Sequence, residues 1–292
     1  MRLDSQLRGW RGLIPGLIVA TAAAVAGGSA RADVKLPAIF SDHMVLQRDQ
    51  KDRVWGWAEP GEEVTVEIQG QSKTAKAGAD GKWQVMLDPI PTGGPYELVV
   101  KGKNTLTFKD VLSGEVWICS GQSNMQMAVS ASDDADLEIR AAKYPQIRLI
   151  TVPLVGTQEP QHDFKGRWAP CSPETVGDFS AVGYFFGRQL HETLGVPIGL
   201  IDDSWGGSAC EAWVPRERLA ADPKYKDLLA LWEEREKKYP EAKKSFEAYQ
   251  AAAAKAKAEG KPAPRTMQNP EGQMRGNARP GNIFNGVLLP TI

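Results

Sequence analysis

Histidine and cysteine are the scarce residues of this chain, three of each among 292. With only His43, His162 and His191 available, a mechanism that needs an imidazole base has few places to find one. Cys119, Cys171 and Cys210 form no C-x-x-C and no Cys/His spacing of a metal site, so a zinc ribbon or a thioredoxin-type centre is excluded. An odd count lets at most two of them pair; a Cys171 to Cys210 bridge has no support in the sequence, and Cys119, ending an apolar run, reads as a buried inert thiol. Charge of one sign is missing too. Lys and Arg number 35 against 36 Asp and Glu, with no basic run, which argues against nucleic acid as a partner.

Long apolar runs are absent after residue 26. Before it, Arg2, Arg8 and Arg11 precede an apolar stretch at 13–26, and Ala30-Arg31-Ala32 has the small-x-small form of an export cleavage site. We expect a signal peptide at 1–32, cleaved before Asp33, and a periplasmic or secreted product with no stable membrane anchor. The stretch is short for a span of ~20 residues. Cleavage would leave 260 residues and, with four arginines and one aspartate removed, a formal charge of −4. That length is ample for a sizeable core.

What is present begins with strand patterning. Across 54–111, Val64, Val66 and Ile68 share one face while Thr65 and Glu67 take the other, and Trp83, Val85 and Leu87 repeat the arrangement. Glu59-Pro60-Gly61, Asp80-Gly81 and Thr92-Gly93-Gly94-Pro95 supply turns. This pattern predicts an antiparallel β-sandwich of about seven short strands over 33–112. Trp55, Trp57, Trp83 and Tyr96 would either fill its core or offer a sugar platform, and core filling is the favoured reading. Further on, strands expected at 147–152 and 196–201 alternate with a helix at 183–194 that Gly195 would stop, the pattern of a mainly parallel α/β sheet over 113–292. Between 216 and 260 the composition turns to Glu, Lys and Ala. We expect a helical insertion there, started at Asp222-Pro223 and divided into two helices by Pro240.

The chemistry-bearing stretch is 116–126, V-W-I-C-S-G-Q-S-N-M-Q, where an apolar strand meets a polar turn and a helix start. A serine on such an elbow, Ser123, has its hydroxyl at the carboxyl edge of the sheet, where α/β enzymes place nucleophiles. By local pattern alone Ser-Gly and Ser-Asn are also ordinary turn dipeptides. Ser204-Trp205-Gly206-Gly207-Ser208 follows the 196–201 strand and should lie on the same edge, with glycines that let a substrate approach backbone amides.

The G-Q-S-N-M segment after V-W-I-C-S resembles the first sequence block of the bacterial sialate O-acetylesterases, a branch of the SGNH hydrolases. Residues 36–47, the run G-L-I-D-D-S-W-G-G-S-A-C-E-A-W-V-P and residues 282–290 are similar to further segments of that family. The resemblance implies an incomplete SGNH-type three-layer α/β domain, with Ser123 as nucleophile, Ser123 with Gly206 or Gly207 as oxyanion-hole amides, and Gln122, Asn124 and Trp205 at the substrate. It implies hydrolysis of an O-acetyl ester on sialic acid or a similar sugar, with an acetylated sugar or glycan as partner and no metal or organic cofactor. Acetylated xylan is an alternative acetyl carrier, and a non-catalytic exported carbohydrate-binding protein is an alternative of another class. The family's Gly-Glu-Ser-Asn and D-x-x-H blocks do not occur in this sequence, and none of the three histidines stands in a D-x-x-H context. The expectation is therefore a truncated esterase of greatly reduced activity. His43 would be structural, and His162 the least implausible substitute base.

Overall fold

In the computed structural model, residues 33–292 are described; the expected signal peptide lies outside them. Seven strands come first: β1 (Val45–Gln47), β2 (Asp52–Trp57), β3 (Glu63–Ile68), β4 (Gln71–Lys76), β5 (Lys82–Leu87), β6 (Gly93–Lys101) and β7 (Thr105–Cys119). Alternation drives them, as the buried faces of β3 (Val64, Val66, Ile68) and β5 (Trp83, Val85, Leu87) display. These side chains share one core with Val54, Leu98 and Val100. Each contributes about 1.5–3 kcal/mol by leaving water. β4, β3, β6 and β7 pair in that order, while β2 and β5 form a separate antiparallel ribbon. Thr92-Gly93-Gly94-Pro95 is not only a turn: β6 starts at Gly93, and the irregular register between Gly93 and Leu98 absorbs the glycines.

β7 joins the two halves of the fold. Its first part pairs with β6, and its last five residues pair in parallel with β10 (Ile198–Asp202). The sheet therefore runs on without a break through β10 to β8 (Tyr144–Thr151) and β9 (Ala169–Cys171). A boundary at 112/113 falls inside β7. β10 lies between β7 and β8, parallel to both, and all five of its residues are buried.

Of the helices, α1 (Ser123–Gln126) and α2 (Ala135–Ala141) are short and α3 (Ala181–Leu194) covers the parallel strands. Ser180 caps α3 by accepting from the Gly183 amide at 3.0 Å, and Gly195, at φ 65°, ends it. At Gly187 an added Cβ would stand 2.6 Å from Leu200 Cδ1, so glycine is what lets α3 lie this close to β10.

The charged segment departs from expectation. α4 (Arg216–Ala220) and a short turn capped by Asp222 lead into α5 (Lys226–Ala258), a single helix of 33 residues that passes through Pro240. Proline costs the helix one hydrogen bond. Helix formers on both sides and anchors in the turn before the proline outweigh it: Glu236 binds Arg216 and Arg279, and Tyr239 binds Glu271 in α6 (Pro270–Met274). Trp232 is the only buried residue of α5, and the neighbouring Leu231 is exposed. All three cysteines are free, and burial pushes the Cys119 and Cys171 thiols up to about 12.

Candidate active site

Register places the site. Asp202 at the end of β10 is paired with Cys119 at the end of β7, so the turns that follow both strands leave the sheet at the same carboxyl edge. The first turn carries Ser120, Gly121 and Gln122 into α1, whose first residue is the exposed Ser123. Two hydrogen bonds close it, Gln126 N–H to Gln122 O at 2.9 Å and Met127 N–H to Ser123 O at 3.0 Å. Four residues are too few for a substantial helix dipole. What the turn offers is local: N-terminal amides that no preceding turn can use.

The second turn is fastened to the first. Trp205 N–H donates to Gly121 O at 2.9 Å, and Gly206 N–H donates to Gln126 Oε1 at 2.8 Å. From the far side Asn277 Nδ2 donates to Gly206 O at 2.6 Å, and the Asn277 carbonyl accepts from Ala209 N–H at 3.0 Å. A Cβ at Gly206 would stand 2.6 Å from Gln126 Oε1 and 3.6 Å from Ser123 Cβ, so a side chain would displace the Gln126 amide that holds the two turns together. Gly207 has φ 69°, a left-handed conformation that glycine adopts freely. Its amide has no hydrogen-bond partner within the described chain.

Ser123, Gly206 and Gly207 thus come together, while the amide of Gly206 is committed to Gln126. Gln122 and Asn124 flank the serine and are exposed; Trp205 is half-buried and packs against the main core. Gln126 and Asn277 had no assigned role in the sequence reading. Gln126 stands in the same motif as the serine, but its function depends on a glycine eighty positions on. Nothing in local pattern marks Asn277.

Two acids stand where β10 ends. Asp202 Oδ1 accepts from Ser204 N–H at 3.0 Å and from Ser204 Oγ at 2.5 Å, and burial raises its carboxyl above the ordinary range against the pull of those bonds. Asp203 is fully buried, and neither carboxylate oxygen has a hydrogen-bond partner. Burial pushes it up to about 6, and the neighbouring Ser120 hydroxyl draws it partly back.

No histidine is hydrogen-bonded to Ser123. His43 Nδ1 meets Asp110 Oδ2 at 2.7 Å in a cluster completed by the buried Arg148. His191 Nδ1 is 2.8 Å from Val196 O, and His162 is exposed beside the β2–β5 ribbon. Among the described residues, no group of three or more His, Cys, Asp or Glu could hold a metal ion.

Ser123, on the first turn after a parallel strand, thus stands at the same sheet edge as the Gly206-Gly207 turn. Comparison with known proteins gives a family. Residues 113–250 match the family described as carbohydrate esterase, sialic acid-specific acetylesterase. The mouse sialate O-acetylesterase is 38% identical over 214 residues, 66% of this chain and 40% of that protein; the human one is 37% identical over the same length. A carbohydrate acetylesterase from Xanthomonas citri, of known crystal structure, is 32% identical with a TM-score of 0.66, covering 88% of this chain and 48% of that one. The chain is similar to these esterases, and it spans less than half the length of each of these relatives.

Proposed function

We propose that Ser123 is the nucleophile of an exported carbohydrate O-acetylesterase that acts on O-acetyl groups of sialic acid or a similar sugar. The observation that carries this reading is the pairing of Asp202 with Cys119, which brings the Ser123 elbow and the glycine turn to one edge, fastened by Gln126. Ser123 Oγ would attack the acetyl carbonyl, the sugar oxygen would leave with a proton, and water would hydrolyse the acetyl-serine to acetate. The Gly207 amide and that of Ser123 are the donors we assign to the oxyanion; Gly206 serves as the spacer that lets the turns meet. Gln122, Asn124 and Trp205 border the space a sugar would occupy. An SGNH-type layering of the α/β part and a periplasmic or secreted location belong to the same proposal.

No base is assigned among the described residues, so the purified chain should turn over slowly. The test is acetate release from an O-acetylated sialic acid. Ser123→Ala should remove what release there is, by roughly 10³-fold or more in a complete mechanism and to background here. Replacing His43, His162 or His191 by alanine should leave it unchanged. Brisk turnover that collapses with one of those histidines would overturn the assignment.

A further inference from the structure

Trp205-Gly206-Gly207-Ser208 is a β-turn, closed by Ser208 N–H donating to Trp205 O at 3.3 Å. Gly207, at its third position, has φ 69°, while Gly206, at its second, is not left-handed, and that combination is the type II form. Types I and II differ by a half-rotation of the central peptide, here the one between Gly206 and Gly207. With no Cβ at either end, this peptide has little in its own residues to choose between the two senses. The choice decides where its N–H points. The peptide is trans and planar, so the Gly206 carbonyl and the Gly207 N–H point in opposite directions, and a contact that fixes one fixes the other.

Asn277 fixes the carbonyl, since its Nδ2 donates to Gly206 O at 2.6 Å. Asn277 is itself held from several directions. Its own carbonyl accepts from Ala209 N–H at 3.0 Å, the carbonyl of Gly276 accepts from Asn282 Nδ2 at 2.8 Å, and Arg279 meets Glu236 of α5 at 3.0 Å. Asn282 is fully buried, so this anchor belongs to the core. A Cβ at Gly276 would stand 2.2 Å from Gly272 O, and glycine is what lets the chain pass so close to α6 on its way to Asn277. Ser123 borders the turn at Gly206, where a Cβ would stand 3.5 Å from Ser123 Cα; Asn277 borders it at Gly207, where a Cβ would stand 3.5 Å from Asn277 Nδ2. All of these contacts lie within residues 123–282.

We propose that Asn277 is a positioning residue: its side-chain amide holds the Gly206–Gly207 peptide in the type II sense and so aims the Gly207 N–H at the oxyanion of the Ser123 reaction. The inference rests on Ser123 as nucleophile. It gives the segment after α6 a part in the chemistry, because the donor that stabilises the developing charge is oriented from there.

The experiment treats the whole chain with p-nitrophenyl acetate and follows acetyl on the Ser123 peptide with time by mass spectrometry. In that step a bond forms from Ser123 Oγ to the acetyl carbon, the bond to the aryl oxygen breaks, p-nitrophenolate leaves with the electron pair, and the serine proton passes to water. Asn277→Ala should slow acetylation of Ser123 about tenfold, since a misaimed donor forfeits part of the roughly 10²–10³ that an oxyanion-hole donor supplies. Asn277→Asp keeps the shape but, ionised, sets an acceptor against Gly206 O. Its rate relative to the unaltered chain should be low at pH 7 and recover severalfold at about pH 4, where the protonated acid donates again. Absence of acetyl on Ser123 in the unaltered chain would overturn the serine reading and this inference with it. Acetylation of Ser123 as fast in both variants as in the unaltered chain, or an Asn277→Asp deficit of equal size at both pH values, would overturn the role of Asn277 alone.

Discussion

Asp203 is one of the buried polar residues that lack a hydrogen-bond partner, with Asp52, Trp83 and Tyr184, and it is the one in which neither carboxylate oxygen is paired. Its carboxyl is buried beside Ser120 with both oxygens unpaired, and its folded value of about 6 exceeds the ordinary 3.8. The native state therefore holds that proton more tightly than the unfolded chain. Below about pH 4 both states are protonated and the residue costs nothing; as pH rises toward 6 stability is lost, and above it the cost levels off at about 3 kcal/mol. Asp203→Asn should raise the melting temperature by several degrees at pH 8 and leave it almost unchanged at pH 4. An equal shift at both pH values would show that ionisation is not the cause. At the same scale, the elbow serine was legible because its motif is contiguous. The Gln126–Gly206–Asn277 fastening was not, because its three members lie far apart in sequence and meet only through the register of β7 and β10.

Among the elements, β7 sets the arrangement and also its weak point. Its last five residues pair with β10 on one edge, and among the described residues no strand pairs with the other. Trp117 and Ile118, both 43% exposed there, stand near the exposed Phe186 and Val182 of α3, with Trp117 and Phe186 ring centroids 5.1 Å apart. An open apolar edge is a template for a second chain. We expect concentration-dependent association in light scattering, relieved by Ile118→Lys. A monodisperse monomer that melts cooperatively at high concentration would contradict this. The alternation in β3 and β5 and the glycine stop of α3 were plain in the sequence, since each depends on neighbours within a few residues, whereas the Ser180 cap was not expected. The continuity of α5 through Pro240 was hidden, since it depends on Arg216, Arg279 and Glu271, which lie outside the helix.

For the whole molecule, the continuous sheet has two consequences. It puts β4, β3 and β6 and the serine edge on one framework, with β7 common to both. It also means that an alternation of strands and helices could reveal an α/β class, but not that β7 would serve both halves. The central claim remains Ser123 as acyl acceptor, and it is tested most directly by treating the chain with p-nitrophenyl acetate, whose leaving group needs no acid, and mapping the acetyl group by peptide mass spectrometry. With no histidine hydrogen-bonded to Ser123 among the described residues, acetyl should accumulate on the peptide that contains Ser123 and vanish in Ser123→Ala. Acetyl found only on other residues, or acetate release with Ser123 left unmodified and dispensable, would contradict the account.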